Sequence, residues 1–538
     1  MYPGTAVLEG TIKDCATLLF HTIAERISGG VCRHSAVKRA HLQSMLCKES
    51  SVHRVPFGSR PLAIVGLALL FAGCRGNSEP PSPPILPLVD APGRASLQQL
   101  AHKSKIQHVI IIVQENRTFN NLFYGYPGAK TATYGLDSEN KKIALKPISL
   151  KTPWDMQHNG HGFITSCDGT GKIPGTDCQM NGFDKETCNA VQAPCPKSKY
   201  LAYAYAPHKQ TAPYFSMAHQ YVLADEMHAS DFDISSFESH QYIIAGVNPK
   251  SSVDYPQSGA AWGCTGTPGD EIEILEAGRK WGDTATERPC WNVNTLGDEL
   301  DAAKLTWAFY AVALNANGSG GKPCGSGTEG DASANRRGIW SAYQAIKHIC
   351  YGPDWDQDVK PFSPPSKFLR DIGGGQLRAV TWITPTCADS DHAGCNSDTG
   401  PSWVASLVNA VGESQFWDST AIFIFWDDSG GWYDPEPPTY VKSSDYDGLG
   451  YRLPLLIISP YAKQGVVSHT HYDHGSILKF VEETFGLAQL AWSDRLANST
   501  DDVFDFNQSP RKFVPIKAPY DAEYFMRRPL DMRVPDTN

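Results

Sequence analysis

The side chains best able to do chemistry in this sequence fall into separate clusters. Glu115 and Asn116 end an apolar run, and Ser235 and Ser236 stand just ahead of Ser239 and His240. Asp389, Asp391, His392 and Asp398 crowd one segment. Asp427, Asp428 and Asp434 crowd another, and His469, His471, Asp473 and His474 a third. His158 and His161 share the loop-like stretch WDMQHNGHGF. Carboxylate and amide oxygens are hard ligands that suit calcium, magnesium or manganese better than zinc. Adjacent carboxylates repel unless a cation or donors compensate, so Asp427-Asp428 reads as a cation site. A turn of the Asp-Gly type would explain one Asp but not two plus Asp434. A serine beside a histidine suggests nucleophile and base, although a metal activates a hydroxyl without any base. Plainer readings stand beside these: a capped strand end for Glu115-Asn116, an ST-turn or helix cap for Ser235, and solvated loops for single histidines.

Such groups need rigid elements to hold them, and the apolar runs supply candidates. Val109 to Val113 and Thr420 to Trp426 are uninterrupted runs, the signature of strands buried on both faces of a parallel sheet. Leu377 to Ile383 and Leu453 to Ser459 read as further strands, and Leu305 to Val312 as another. Tyr214 to Ser230 carries a helical apolar pattern, as do 402–412, Ile339 to Cys350, and Ser476 to Phe485 with Gly486 as its stop. Strand, polar cluster and helix recur in that order, the rhythm of a doubly wound, mostly parallel α/β sheet with helices on both faces. Each cluster is then expected on one edge of the sheet, the edge where such folds bind ligands. Gathered carboxylates, hydroxyls and imidazoles without a nucleotide-binding glycine fingerprint or a GxSxG elbow favour metal-assisted hydrolysis.

The totals constrain partners and compartment. Lys plus Arg is 47 against 57 for Asp plus Glu, a net charge of −10, so no broad basic surface for nucleic acid is implied. Pro61 to Gly73 has the length and flanking charge of a secretory signal core, and Ala72-Gly73-Cys74 resembles a lipoprotein cleavage site. Residues 1–74 are therefore expected to be an over-extended start plus signal, and 75–100 a Pro/Ser-rich tether. A lipidated Cys74 would attach the chain to a membrane, and the compartment would be periplasmic, extracellular or outer-membrane. From 101 to 538 one domain is expected, with a loop-rich cap inserted at about 255–335. Its ten cysteines, from Cys167 to Cys395, lack paired CxxC spacings and are expected to form disulfides, with connectivity open.

Several stretches also carry a resemblance: QENRTFNNLF, SSFESH with the apolar run after it taken as a strand, SDTGPSWVASLVNAVG, FWDDSGGWYD and ISPYAKQGVVSHTHYDHGSILKFVEETFGL. Together they resemble the bacterial phosphoesterase family that includes phospholipases C and an acid phosphatase, with a fold similar to alkaline phosphatases and sulfatases. The resemblance implies one divalent metal held by Glu115, Asn116, Asp427 and Asp428, with Ser236 as metal-contacting nucleophile. It implies active-site roles for His158, His392, His469 and His474, and substrate contacts from Asn116 and His240. Glu238-Ser239 stands where the family often has Pro-Asn, which keeps Ser235 in contention, and Asp434-Pro435 stands where Asp-His is common.

The activity so implied is hydrolysis of phosphate esters, including phospholipids, through a phosphoryl-serine intermediate. Acid phosphomonoesterase activity at the same site is the alternative, and a non-enzymatic, ligand-binding surface lipoprotein is the alternative of another class. The modified-residue context of sulfatases, Cys/Ser-x-Pro-x-Arg, is absent. Headgroup preference and oligomeric state are not legible from these residues.

Overall fold

The computed structural model describes residues 105–232, 235–248, 262–266, 271–276, 279–313, 324–325, 338–439 and 448–533. The expected signal, the Cys74 lipidation site and the tether lie outside them. A seven-stranded sheet forms the centre, built from β1 (His108–Gln114), β2 (Val222–His228), β3 (Trp307–Tyr310), β4 (Val380–Ile383), β5 (Thr420–Trp426), β6 (Arg452–Ile458) and β7 (Val466–Ser468). Their order across the sheet is β3-β4-β1-β5-β6-β2-β7. Every strand runs the same way except β6, which is antiparallel to both β5 and β2. The doubly wound, mostly parallel α/β fold is therefore as expected.

Alternation along β5 assigns the helices to the two faces. Phe423 meets Phe480 of the helix α4 (His474–Phe485), ring centroids 4.9 Å apart. Trp426, three positions on and hence facing the other way, meets Tyr214 of α1 (His208–Gln220) at 5.0 Å. Helix α3 (Gly400–Gly412) packs against α1, and α2 (Ser236–Ala245) against α4. Burial on both faces explains why Val109 to Val113 of β1 can be apolar without interruption. Strand β6 carries Pro454 at the point where its register with β2 shifts, between Leu453 and Leu455; a residue without an N–H is tolerated in a strand interior at such a bulge.

Several local expectations change. The helical pattern read over Tyr214 to Ser230 divides into the end of α1 and strand β2, whose Asp225 and Glu226 broke its strand signal. The apolar run after SSFESH is the helix α2, not a strand. Ile339 to Cys350 holds only a 3₁₀ turn (Ala342–Ala345) and one helical turn (Lys347–Cys350). Within 255–335, taken as a cap, the helix Leu296–Ala302 leads into β3, an edge strand of the central sheet; the same stretch adds a hairpin of Ile272–Glu276 and Lys280–Glu287.

The ten cysteines pair as Cys167–Cys178, Cys188–Cys195, Cys264–Cys290, Cys324–Cys350 and Cys387–Cys395. Among the described residues no helix is long and apolar enough to cross a membrane.

Candidate active site

Strands β1 and β5 are parallel neighbours in register, with Gln114 opposite Trp426. The next residues on each strand, Glu115 and Asp427, therefore emerge side by side at the carboxyl edge. The Asp427 N–H donates to the Gln114 carbonyl at 3.0 Å, and the Asn116 N–H to Asp427 Oδ1 at 3.0 Å. Asn116 has φ +58°, a left-handed conformation that asparagine adopts more readily than most residues. The turn after Asp428 presses against it. A Cβ on Gly430, at φ +58°, would lie 2.2 Å from the Asn116 carbonyl oxygen, which only a glycine avoids.

Helix α2 brings the hydroxyl to this edge. Ser235 is its N-cap, joined to Glu238 in a capping box, which fulfils the plainer reading of that residue. Ser236, the first helical residue, instead faces the carboxylates: its Oγ donates toward Asp428 Oδ2 at 3.3 Å and Glu115 Oε2 at 3.4 Å, and accepts from Asn116 Nδ2 at 3.1 Å. One turn further, on the same helix face, His240 sets Nε2 at 3.1 Å from Glu115 Oε1 and 3.7 Å from Asp427 Oδ2. His474, first residue of α4, packs its ring against Phe425 at 5.2 Å. All these side chains are buried.

The electrostatics follow from crowding anions out of water. Burial, then the Asp427 charge, pushes the Glu115 and Asp428 carboxyls well above the usual carboxylate range. Asp427 stays ionised and low: burial raises it, but donors from Glu115 and Asn116 and the neighbouring His240 outweigh burial. Burial lowers His240 to about 4 and His474 to about 3 against the pull of Asp427, so both imidazoles are neutral. Glu115, His240 and Asp427 each offer a ligand atom within 4.8 Å of the others. The Asn116 Oδ1, buried, meets no donor. Three buried carboxylates beside an unmatched amide oxygen and neutral imidazoles fit a divalent cation, with His240 joining the expected ligands rather than standing only as a substrate contact.

His158 and His392 form a second group. Their rings lie 5.6 Å apart, and Asp155 Oδ2 is 3.6 Å from His158 Nδ1 and 4.0 Å from His392 Nδ1. The Gly430-Gly431 turn links this group to the first, since a Cβ on Gly431 would lie 2.5 Å from the Gln157 carbonyl. Asp391, beneath it, accepts from Tyr214 at 2.7 Å and Trp426 at 3.1 Å, and burial raises it to about 6. Asp434 makes a buried ion pair with Arg452 at 3.0 Å.

His469 stands elsewhere. It is half-exposed, with Nδ1 2.8 Å from Asp225 Oδ1 of β2. The reason is topological. Strand β6 runs the opposite way, so the last cluster reaches the edge from β7, three places from β5 and roughly 14 Å away at ordinary strand spacing. His474 returns to Asp427 only because α4 crosses back over β5. Asp155 was missed in sequence, although it precedes His158 by three positions in the same motif; Arg452 was missed because it opens a strand far from Asp434.

The chain as a whole is similar to known proteins. Phospholipase C A of Mycobacterium tuberculosis is 21% identical over 452 residues, covering 77% of this chain and 80% of that protein. The non-hemolytic phospholipase C of Pseudomonas aeruginosa is 22% identical over 467 residues, covering 78% of this chain and 60% of that protein. A solved protein in the alkaline phosphatase superfamily from Vibrio parahaemolyticus superposes with TM-score 0.31 and 8% identity, over 72% of this chain and 69% of that one. The family model described as Phosphoesterase family matches residues 106–488, and the chain belongs to that family and is a phosphoric ester hydrolase.

Proposed function

We propose that this enzyme hydrolyses phospholipids in the manner of a phospholipase C, through a phosphoryl-serine intermediate on Ser236. The observation that carries the reading is the position of Ser236 Oγ, within 3.4 Å of Glu115 and Asp428 and held by the Asn116 amide. The substrate class rests on the relatives, which are phospholipases C by name.

Glu115, Asn116, Asp427, Asp428 and His240 would hold one divalent ion, with calcium, magnesium or manganese favoured by the oxygen-rich set. When bound, such an ion supplies positive charge that lowers the serine hydroxyl pKa and offsets the phosphoryl oxygens. Ser236 Oγ attacks phosphorus in line, losing its proton to a neighbouring carboxylate, while the bond from phosphorus to the leaving alcohol oxygen breaks. His158 or His392 donates the proton that the departing alkoxide takes up, with Asp155 orienting their rings. Water then gives a proton to that imidazole and attacks the same phosphorus, the bond to Ser236 Oγ breaks, and the serine takes its proton back from the carboxylate. The amino end of α2 favours the phosphoryl anion beside Ser236 through its dipole. Five disulfides favour an oxidising compartment and support the export expected from residues 61–73.

The test compares wild type with Ser236→Ala on nitrophenyl phosphocholine, nitrophenyl phosphate and phosphatidylcholine. A loss of at least about 10³-fold is expected; full activity in the variant would remove Ser236 from its role. Free phosphate without diacylglycerol would move the substrate to phosphomonoesters.

A further inference from the structure

The motif SHTHYDH is only partly absorbed by the site above. Its His471 meets Glu226 and His228 of β2 in a separate group at the same edge of the sheet. Glu226 Oε2 lies 3.6 Å from His228 Nε2 and 3.8 Å from His471 Nδ1, and the three ligand atoms lie within 4.8 Å of one another. These separations exceed hydrogen-bond length. They are close to the roughly 3.4 Å that ligand atoms about 2.1 Å from one tetrahedral zinc keep between them.

The surroundings prepare each ligand. His228 Nδ1 lies 3.0 Å from the Gly450 carbonyl, which can only accept, so Nδ1 carries the proton and Nε2 presents its lone pair toward Glu226. The two imidazoles face each other at 5.8 Å. His471 is held in place by its neighbour: the Tyr472 N–H donates to the Glu226 carbonyl at 2.9 Å, and the His228 N–H to the Tyr472 carbonyl at 2.8 Å. Lys130 Nζ bonds Glu226 Oε1, which leaves Oε2, the oxygen facing both rings, for a further partner. His471 is exposed and lines a cavity of about 270 Å³ with Leu449, Tyr472 and Trp492, so an ion has a path in.

We propose that Glu226, His228 and His471 form a second cation site, taking a borderline divalent ion of the zinc type with water completing the shell. Two imidazoles and one carboxylate distinguish it from the carboxylate-rich group around Asp427, which suits harder ions. An ion there would clamp the loop after β7 onto β2.

The test uses the full chain, freed of metal by a chelator and titrated with zinc against a competing fluorescent chelator. Wild type and Asp427→Asn are expected to keep a zinc equivalent that His471→Ala and Glu226→Gln bind at least about 100-fold more weakly. Zinc should raise the melting temperature of wild type by more than that of His471→Ala. His471→Ala should keep its phosphoesterase activity with calcium, magnesium or manganese. Zinc uptake unchanged in both His471→Ala and Glu226→Gln would overturn the site, as would loss of all zinc binding in Asp427→Asn alone.

Discussion

The Asn116 backbone N–H donates to Asp427 Oδ1 at 3.0 Å across 311 positions of sequence. That bond makes Asp427 a brace between two strand ends as well as a charge in the proposed cation site. The two duties separate in Asp427→Asn, which keeps an oxygen for the N–H and loses the anion. The variant should fold while its metal affinity falls roughly 10- to 100-fold and kcat/KM falls with it. Elemental analysis and steady-state rates check this; undiminished metal content would show that Asp427 is not a ligand.

Gly430 allows the turn after Asp428 to approach Asn116. Alanine there meets a left-handed backbone cost of about 1–2 kcal/mol, and its Cβ would sit 2.2 Å from a backbone oxygen that cannot rotate away. Gly430→Ala is expected to lower the melting temperature and to cost more in kcat than in KM, because the carboxylates shift relative to Ser236. A variant with wild-type stability and rate would contradict the packing described.

Dialysis against a chelator should abolish phosphate-ester hydrolysis and lower thermal stability together, because Glu115, Asp427 and Asp428 would be left crowded out of water without a counter-ion. Calcium, magnesium or manganese should restore both. Activity that survives exhaustive chelation, with metal content confirmed as negligible, would exclude a metal requirement.

Away from the site, Glu482 of α4 lies against Asp494, and burial followed by that neighbouring charge raises it from 4.5 to about 9. Between those values the folded chain holds a proton that the unfolded chain releases. The stabilising contribution is therefore whole below about pH 4.5 and is lost as pH rises through about 9, at no more than about 1.4 kcal/mol per pH unit. Glu482→Gln should flatten this decline. Urea midpoints at about pH 5 and about pH 8.5 test it: the variant should gain on wild type at the higher pH, and a constant gap would exclude Glu482 as the cause.

The pairing of Glu115 with Asp427 was legible because Val109 to Val113 and Ala421 to Trp426 are apolar without interruption, so the polar residues that follow each run mark a strand end. Strand β2 was not, because Asp225 and Glu226 interrupt its apolar residues, each held by partners that only the folded chain brings: Lys130 for both, His469 for Asp225. Nor was α2, whose run QYIIA is too short for periodicity to distinguish helix from strand. The direction of β6 left no mark either, since a buried strand reads alike in both senses. That reversal is what moved His469 away from Ser236 while α4 still delivered His474.

The ten paired cysteines bond in five consecutive couples along the chain, with no pair nested in or crossing another. A polypeptide emerging amino end first therefore never has more than one of these thiols waiting for its mate. Oxidation can keep pace with emergence, and the correct bridges arise in order of appearance, without any cysteine having to release a wrong partner.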